Sequence, residues 1–182
     1  MNFTGQHRVV PTNVSGFTNI QNFVGMIVVS DGTYYNINWG TDPTINESLP
    51  NISLSNKSYD KRVFGVISDR EDITDGQTTY GYGAFLTIFQ TYENIGRIII
   101  NSLGEGGILV TNYNGNLENG DYITSSDITG YGMKQSDDLL HNYTVAKITQ
   151  NCDFSDPTKY TEIIYNNITY KKQFVGCTYH CG

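Results

Sequence analysis

Residues 119–148 read NGDYITSSDITGYGMKQSDDLLHNYTVAKI. The segment opens on a turn signal, Asn119-Gly120-Asp121, and passes into a short alternating run, Tyr122-Ile123-Thr124. A Gly-rich polar loop follows at Ile128-Thr129-Gly130-Tyr131-Gly132, and a second alternating run closes the segment at Tyr143-Thr144-Val145-Ala146-Lys147-Ile148. Turn chemistry between β-branched runs predicts strand, loop, strand. Between the runs lies Gln135-Ser136-Asp137-Asp138-Leu139-Leu140-His141, with two adjacent carboxylates and one of the three histidines of the chain. Loops that hold hydroxyl, acid and imidazole groups between strands are where chemistry concentrates. Asp137, Asp138 and His141 are therefore candidate catalytic residues. The two aspartates fit a helix cap before Leu139-Leu140 equally well. A Ser136–His141 pair lacks the Gly-x-Ser-x-Gly context of a nucleophile elbow.

The rest of the chain repeats this strand-and-turn grammar. Phe23 to Ser30 is a continuous apolar run that predicts a buried strand. Asp31-Gly32 is a tight-turn signal, and Thr33 to Ile37 reads as the returning strand of a hairpin. Val63-Phe64-Gly65-Val66-Ile67-Ser68 predicts a further strand, followed by Asp69-Arg70-Glu71-Asp72. Strands are also expected at 84–90, at 97–102 and at 108–112, with Gly104, Gly106 and Gly107 as the turn between the last two. A final hairpin is expected around Asn166-Asn167, ending in Cys177, His180 and Cys181. Residues 40–60 carry two of the four prolines and weak periodicity, and read as a surface insertion.

Composition agrees. The 182 residues include 14 Tyr and 19 Gly, and strand and turn residues outweigh the helix formers. The length suits one domain. The expected fold is all-β or β-dominated, a barrel or sandwich of short antiparallel strands. Its main body would span 2–150, with a C-terminal hairpin and Cys/His tail at 151–182. The net charge is −7 and no Lys/Arg block is present, which argues against a nucleic-acid partner. No apolar run approaches the ~20 residues of a membrane-spanning helix, so no membrane partner is expected. Met1 is not followed by a basic-then-apolar leader. Three cysteines make an odd count, and their spacing does not fit the paired zinc motifs. No metal or other cofactor is expected.

The phrases Gly-Asp-Tyr-Ile-x-Ser-Ser (120–126), Gly-Tyr-Gly-Met-Lys-Gln (130–135) and Asp-Asp-Leu-Leu-His-Asn-Tyr-Thr-Val-Ala-Lys (137–147) carry a resemblance. Together they resemble the C-terminal auto-processing domain of viral fibre and spike proteins. That is the intramolecular chaperone of the preneck-appendage type, classed with the glutamic peptidases, here closer to the copies in large DNA viruses than to those in tailed phages. Val63 to Ser68 is similar to a Gly-Val-Val-Ser strand end in that family. The resemblance implies a homotrimer behind a trimeric fibre segment of the same chain. It further implies a single self-cleavage that releases the domain, and a location in the virion or in the host cytoplasm during assembly.

It also directs attention to the opening stretch, Phe3-Thr4-Gly5-Gln6-His7, beside which the family cleaves. The phage members of the family carry acidic residues with aromatics there, and Phe3-Thr4-Gly5-Gln6-His7 has no carboxylate. Imidazole titrates near neutrality unaided, so His7 is the candidate for proton transfer, with Thr4 and Gln6 beside it. Ser68, Glu71 and Asp72 are nominated at the end of the 63–68 strand, since one of two close carboxylates can be held protonated by the other. Two other readings compete: a non-catalytic trimeric cap or receptor-binding module of a fibre, and a hydrolase acting in trans.

Overall fold

The computed structural model describes residues 5–17, 19–35, 49–70 and 97–181. Ten strands carry it: β1 (Gly5–Pro11), β2 (Ile27–Tyr34), β3 (Pro50–Leu54), β4 (Val63–Arg70), β5 (Ile98–Thr111), β6 (Tyr122–Ser125), β7 (Gly132–Lys134), β8 (Thr144–Ile148), β9 (Thr161–Tyr165) and β10 (Ile168–His180). Among the described residues there are short 3-10 turns and no α-helix.

The strands form two closed rings that share β5. The first runs β1–β3–β2–β4–β5 and closes because β1 also pairs with β5. The second runs β5–β7–β6–β8–β10 and closes through the β10–β5 ladder. β9 pairs with β10 outside that ring. The β1–β3 and β5–β7 contacts are parallel; the other ladders are antiparallel. Within the two rings, closure removes the open strand edges that would otherwise template aggregation.

Each ring has its own core. Val9, Val28, Ile52, Ile67, Ile98 and Ile100 fill the first, with Phe17 and Ile20. Ile108, Val110, Ile123, Val145, Ile148, Val175, Cys177 and Tyr179 fill the second. Ile27 and Val66, from strands of the first ring, belong to the second core. Successive side chains of β2 and β4 therefore face opposite cores. A strand buried on both faces needs a continuous apolar run rather than an alternating one, and Ile27-Val28-Val29 supplies it at 0%, 0% and 1% exposure.

Three expectations are corrected. First, Asp31-Gly32 is not a hairpin turn. β2 continues through it, and the β2–β3 register shifts between Ser30↔Ile52 and Tyr34↔Pro50, a bulge that holds Gly32 at φ +77°. Second, Gly104, Gly106 and Gly107 do not turn the chain but lie inside β5. A Cβ at Gly106 would lie 2.4 Å from the Tyr179 hydroxyl oxygen, and one at Gly107 would lie 2.2 Å from Phe174 ring carbons. These glycines make room for β10 rings laid across β5, and the Tyr179 hydroxyl donates to the Gly107 carbonyl at 2.8 Å. Third, residues 50–54 are not a surface excursion. They form β3, and Ile52 is fully buried between β1 and β2.

The final hairpin is present, with Asn166 and Asn167 at φ 50° and 63° as its two-residue turn. β10 runs on to His180, so the Cys/His segment is strand rather than tail. The expected strand at 84–90, the end of the 33–37 strand and residues 40–48 lie outside the described residues.

Candidate functional site

The candidate site stands on the loop between β7 and β8. β7 ends at Lys134, and the Gln135 backbone N–H donates to the Tyr122 carbonyl at 2.8 Å, continuing the edge of β6. Gln135 is thereby set inside the fold, at 2% exposure. Its side-chain amide is the hub of the loop. Nε2 donates to the Leu139 carbonyl at 2.6 Å, to the Asp137 carbonyl at 3.1 Å and to Asp137 Oδ1 at 3.0 Å. Oε1 accepts from the Thr144 hydroxyl at 2.7 Å, and that hydroxyl oxygen accepts the His141 backbone N–H at 2.9 Å. Thr144 is itself buried at the start of β8. Two buried polar side chains, one from each flanking strand end, thus fix the exposed loop between them.

Asp137 and His141 meet on this frame. His141 Nε2 lies 3.0 and 3.1 Å from the two Asp137 carboxylate oxygens. The Leu139 backbone N–H donates to Asp137 Oδ1 at 3.0 Å. That bond, with the His141 and Gln135 contacts, holds the Asp137 carboxyl below its ordinary pKa. An ionised carboxylate only accepts, so it selects the neutral imidazole tautomer with the proton on Nε2 and leaves Nδ1 as the basic nitrogen. The ring stacks on Tyr143, centroids 4.5 Å apart and planes 22° apart, and Tyr59 meets Tyr143 edge-on at 5.3 Å. The imidazole is oriented on one edge, packed on one face and 30% exposed. It can accept a proton from a water or hydroxyl brought to it.

The other nominated residues divide by place. Asp138 is exposed on the same loop. The alternative of a helix cap is corrected: Asp137 does receive a backbone N–H, but of a turn, since no helix follows. Ser136 is exposed, and His141 takes Asp137 rather than Ser136 as its partner. Gln6 and His7 lie on β1 of the first ring, both exposed, with the His7 ring tilted against Phe64 at 5.7 Å. Ser68 sits in β4 where the β4–β5 register shifts between Ile67↔Ile100 and Asp69↔Ile99, and is the bulged residue. His7 also pairs with Ile100, so His7 and Ser68 flank the same stretch of β5 from its two sides. Among the described residues no hydrogen bond or ion pair joins this group to the Asp137–His141 pair. Thr4, Glu71 and Asp72 lie outside the described residues.

Gln135 and Thr144 are the positioning residues that sequence reasoning missed. The signal available to it was weak: a glutamine and a threonine flanking a polar loop are common, and their burial is set by β6 and β8. The cysteines form no disulfide. Burial pushes the Cys152 thiol up to about 11 and the Cys177 and Cys181 thiols up to about 12, so none is a ready nucleophile. Among the described residues no cluster of three or more His, Cys, Asp or Glu side chains is placed to hold a metal ion, and no helix is long and apolar enough to cross a membrane.

Comparison with family models, curated proteins and solved structures returns no match.

Proposed function

We propose that this chain is the C-terminal intramolecular chaperone of a viral fibre or spike protein, which promotes trimerisation and then cleaves itself from the upstream fibre. The observation that carries the reading is the Asp137–His141 pair. It lies inside the segment that resembles the auto-processing family, on a loop fixed by Gln135 and Thr144.

In this reading His141 is the general base. Nδ1 takes a proton from a water as its oxygen adds to the scissile carbonyl, and the imidazolium, stabilised by Asp137, returns that proton to the departing amine. His7 and Ser68 belong to the other ring and would act near the cut end of the chain. One turnover in cis needs no preformed substrate pocket, because a tethered segment has an effective concentration far above that of a free one. Leu139 and Leu140, 65% and 61% exposed beside the pair, support a partner surface on this loop. The partner proposed is a second and third copy of the chain.

The test is to express the domain behind a trimer-forming fibre segment with the residues that precede it in its gene. Products are followed by intact mass and light scattering, for wild type, H141N, D137N and H7A. Cleavage next to the opening stretch, lost in H141N and reduced in D137N, supports the proposal. Cleavage lost only in H7A moves the proton transfer to β1. An intact trimer in every case leaves the non-catalytic cap or receptor-binding module.

A further inference from the structure

The first ring holds a cleft that the processing reaction does not use. Its volume is about 570 Å³, within the range of small-molecule sites. Phe17, Phe23, Ile52 and Leu54 form the apolar part of its lining, and Thr12, Asn13, Asp31 and Ser53 the polar part, with Gly16 at the edge. Phe17 and Ile52 are buried, whereas Thr12 and Asn13 are exposed, so the floor is apolar and the rim wet. The two phenylalanine rings lie 4.8 Å apart and are tilted by 40°.

Three of the rim side chains, Thr12, Ser53 and Asp31, are joined to one another, and the fourth, Asn13, accepts the Ser15 hydroxyl at 2.7 Å on its Oδ1 and keeps its NH2 as a donor. Ser53 donates its hydroxyl to Asp31 Oδ1 at 2.7 Å, and Thr12 donates its hydroxyl to Asp31 Oδ2. Both hydroxyl protons are spent on the carboxylate. What Thr12, Ser53 and Asp31 still offer a ligand is lone pairs. A complementary ligand therefore brings donors to these three and an acceptor to the Asn13 amide, as groups that both donate and accept can do. It must also present an apolar face to the phenylalanines. None of the lining residues is Lys or Arg, which disfavours phosphates and carboxylates.

We infer that this cleft binds a neutral pyranose sugar, its C–H face on Phe17 and Phe23 and adjacent hydroxyls donating to Asp31, Thr12 and Ser53. A pyranose combines the two required properties in one ring: an apolar face of axial C–H groups and an edge of hydroxyl donors. The inference is independent of self-cleavage and gives the domain a recognition surface of its own. The bulge at Asp31-Gly32 turns Asp31 from a turn residue into the polar anchor of the site.

The experiment is a titration of the ¹⁵N-labelled domain with the methyl glycosides of glucose, galactose and mannose and with N-acetylglucosamine, up to high millimolar concentration. The inference expects saturable shifts at the amides of Gly16, Asp31, Ser53 and Leu54 with at least one of the four. The D31N substitution should weaken that binding about tenfold, as expected for loss of a charged acceptor, and F23A should abolish it. Each variant is checked by its spectrum away from the cleft; if D31N does not fold, S53A replaces it and should weaken binding severalfold. The inference is overturned by the absence of saturable shifts at these amides with all four sugars. It is equally overturned by binding that D31N (or S53A) and F23A leave unchanged, or by tighter binding of butylammonium than of any sugar.

Discussion

Replacing Gln135 with methionine tests how the loop is held. Methionine has a similar volume and length, so the change removes polar contacts while leaving little cavity. Gln135 has two N–H protons and one carbonyl oxygen. The protons serve the Leu139 carbonyl at 2.6 Å and, shared, the two Asp137 oxygens at 3.1 and 3.0 Å; the carbonyl oxygen serves Thr144 at 2.7 Å. Three hydrogen bonds at about 1 kcal/mol each would give about 3 kcal/mol. Asp137 and Leu139 are exposed and water can replace part of what they lose, whereas the Thr144 hydroxyl is buried and keeps its loss. The expected destabilisation is about 2 kcal/mol. With a urea m-value of about 2 kcal/mol/M, the midpoint should fall by about 1 M. Equilibrium urea denaturation followed by circular dichroism measures it. The His141 ring resonances should broaden or move at the same time, because the frame that aligns Asp137 is gone. A Gln135→Met protein with an unchanged midpoint and unchanged His141 resonances would refute the hub.

Four further outcomes follow from the same contacts. A Cβ at Gly65 would lie 2.7 Å from the Asn101 carbonyl oxygen and 2.8 Å from Ile100 Cδ1, so Gly65→Ala should cost about 1–3 kcal/mol, read as a lower thermal midpoint. Gly32 has open space around it but φ +77°, so Gly32→Ala should cost only about 1–2 kcal/mol of backbone strain. The Ser58 backbone N–H, with the Tyr113 hydroxyl, holds the Asp127 carboxyl below its ordinary value, and the Arg62 side chain does the same for Asp60. Their contribution is complete above the unfolded pKa of about 3.9 and is lost as pH falls through the lower folded values; chemical denaturation between about pH 5 and about pH 2 should show the loss, and Asp127→Asn should reduce its slope. Cys152 and Cys177, with thiols at about 11 and about 12, should resist a disulfide reagent at about pH 8 in the folded protein and react once urea is added.

The sequence carries the β-dominated class openly, because β-branched and aromatic runs separated by turn residues have few other solutions. The doubly buried strand is legible for the same reason: Ile27-Val28-Val29 has no polar residue to place in water. The misreadings share one cause. Asp31-Gly32 and Gly104 to Gly107 are turn signals locally, yet what decides them lies far away in the chain. Phe174 and Tyr179 of β10 need the flat space over Gly107 and Gly106, and Ser53 and Thr12 claim Asp31. Two prolines and weak periodicity made 40–60 read as a surface insertion, but β3 starts at one of them, Pro50, where a missing N–H is tolerated.

The candidate site was half legible. Asp137 and His141 drew attention by type, but four residues of separation in a loop fix no geometry, and the pairing depends on buried Gln135 and Thr144. The opening stretch drew attention through the resemblance, and His7 stands on β1 in the other ring. A sequence does not show which ring a strand joins when the joining residues are as far apart in the chain as Gly5 and Leu103.

The most direct test of the central claim is the intact mass of the domain expressed behind the fibre segment proposed to precede it, wild type beside H141N. Self-processing at the Asp137–His141 pair predicts two fragments from the wild type, cut beside the opening stretch, and one uncut chain from H141N. A single uncut mass from both, or the same two fragments from both, would contradict it.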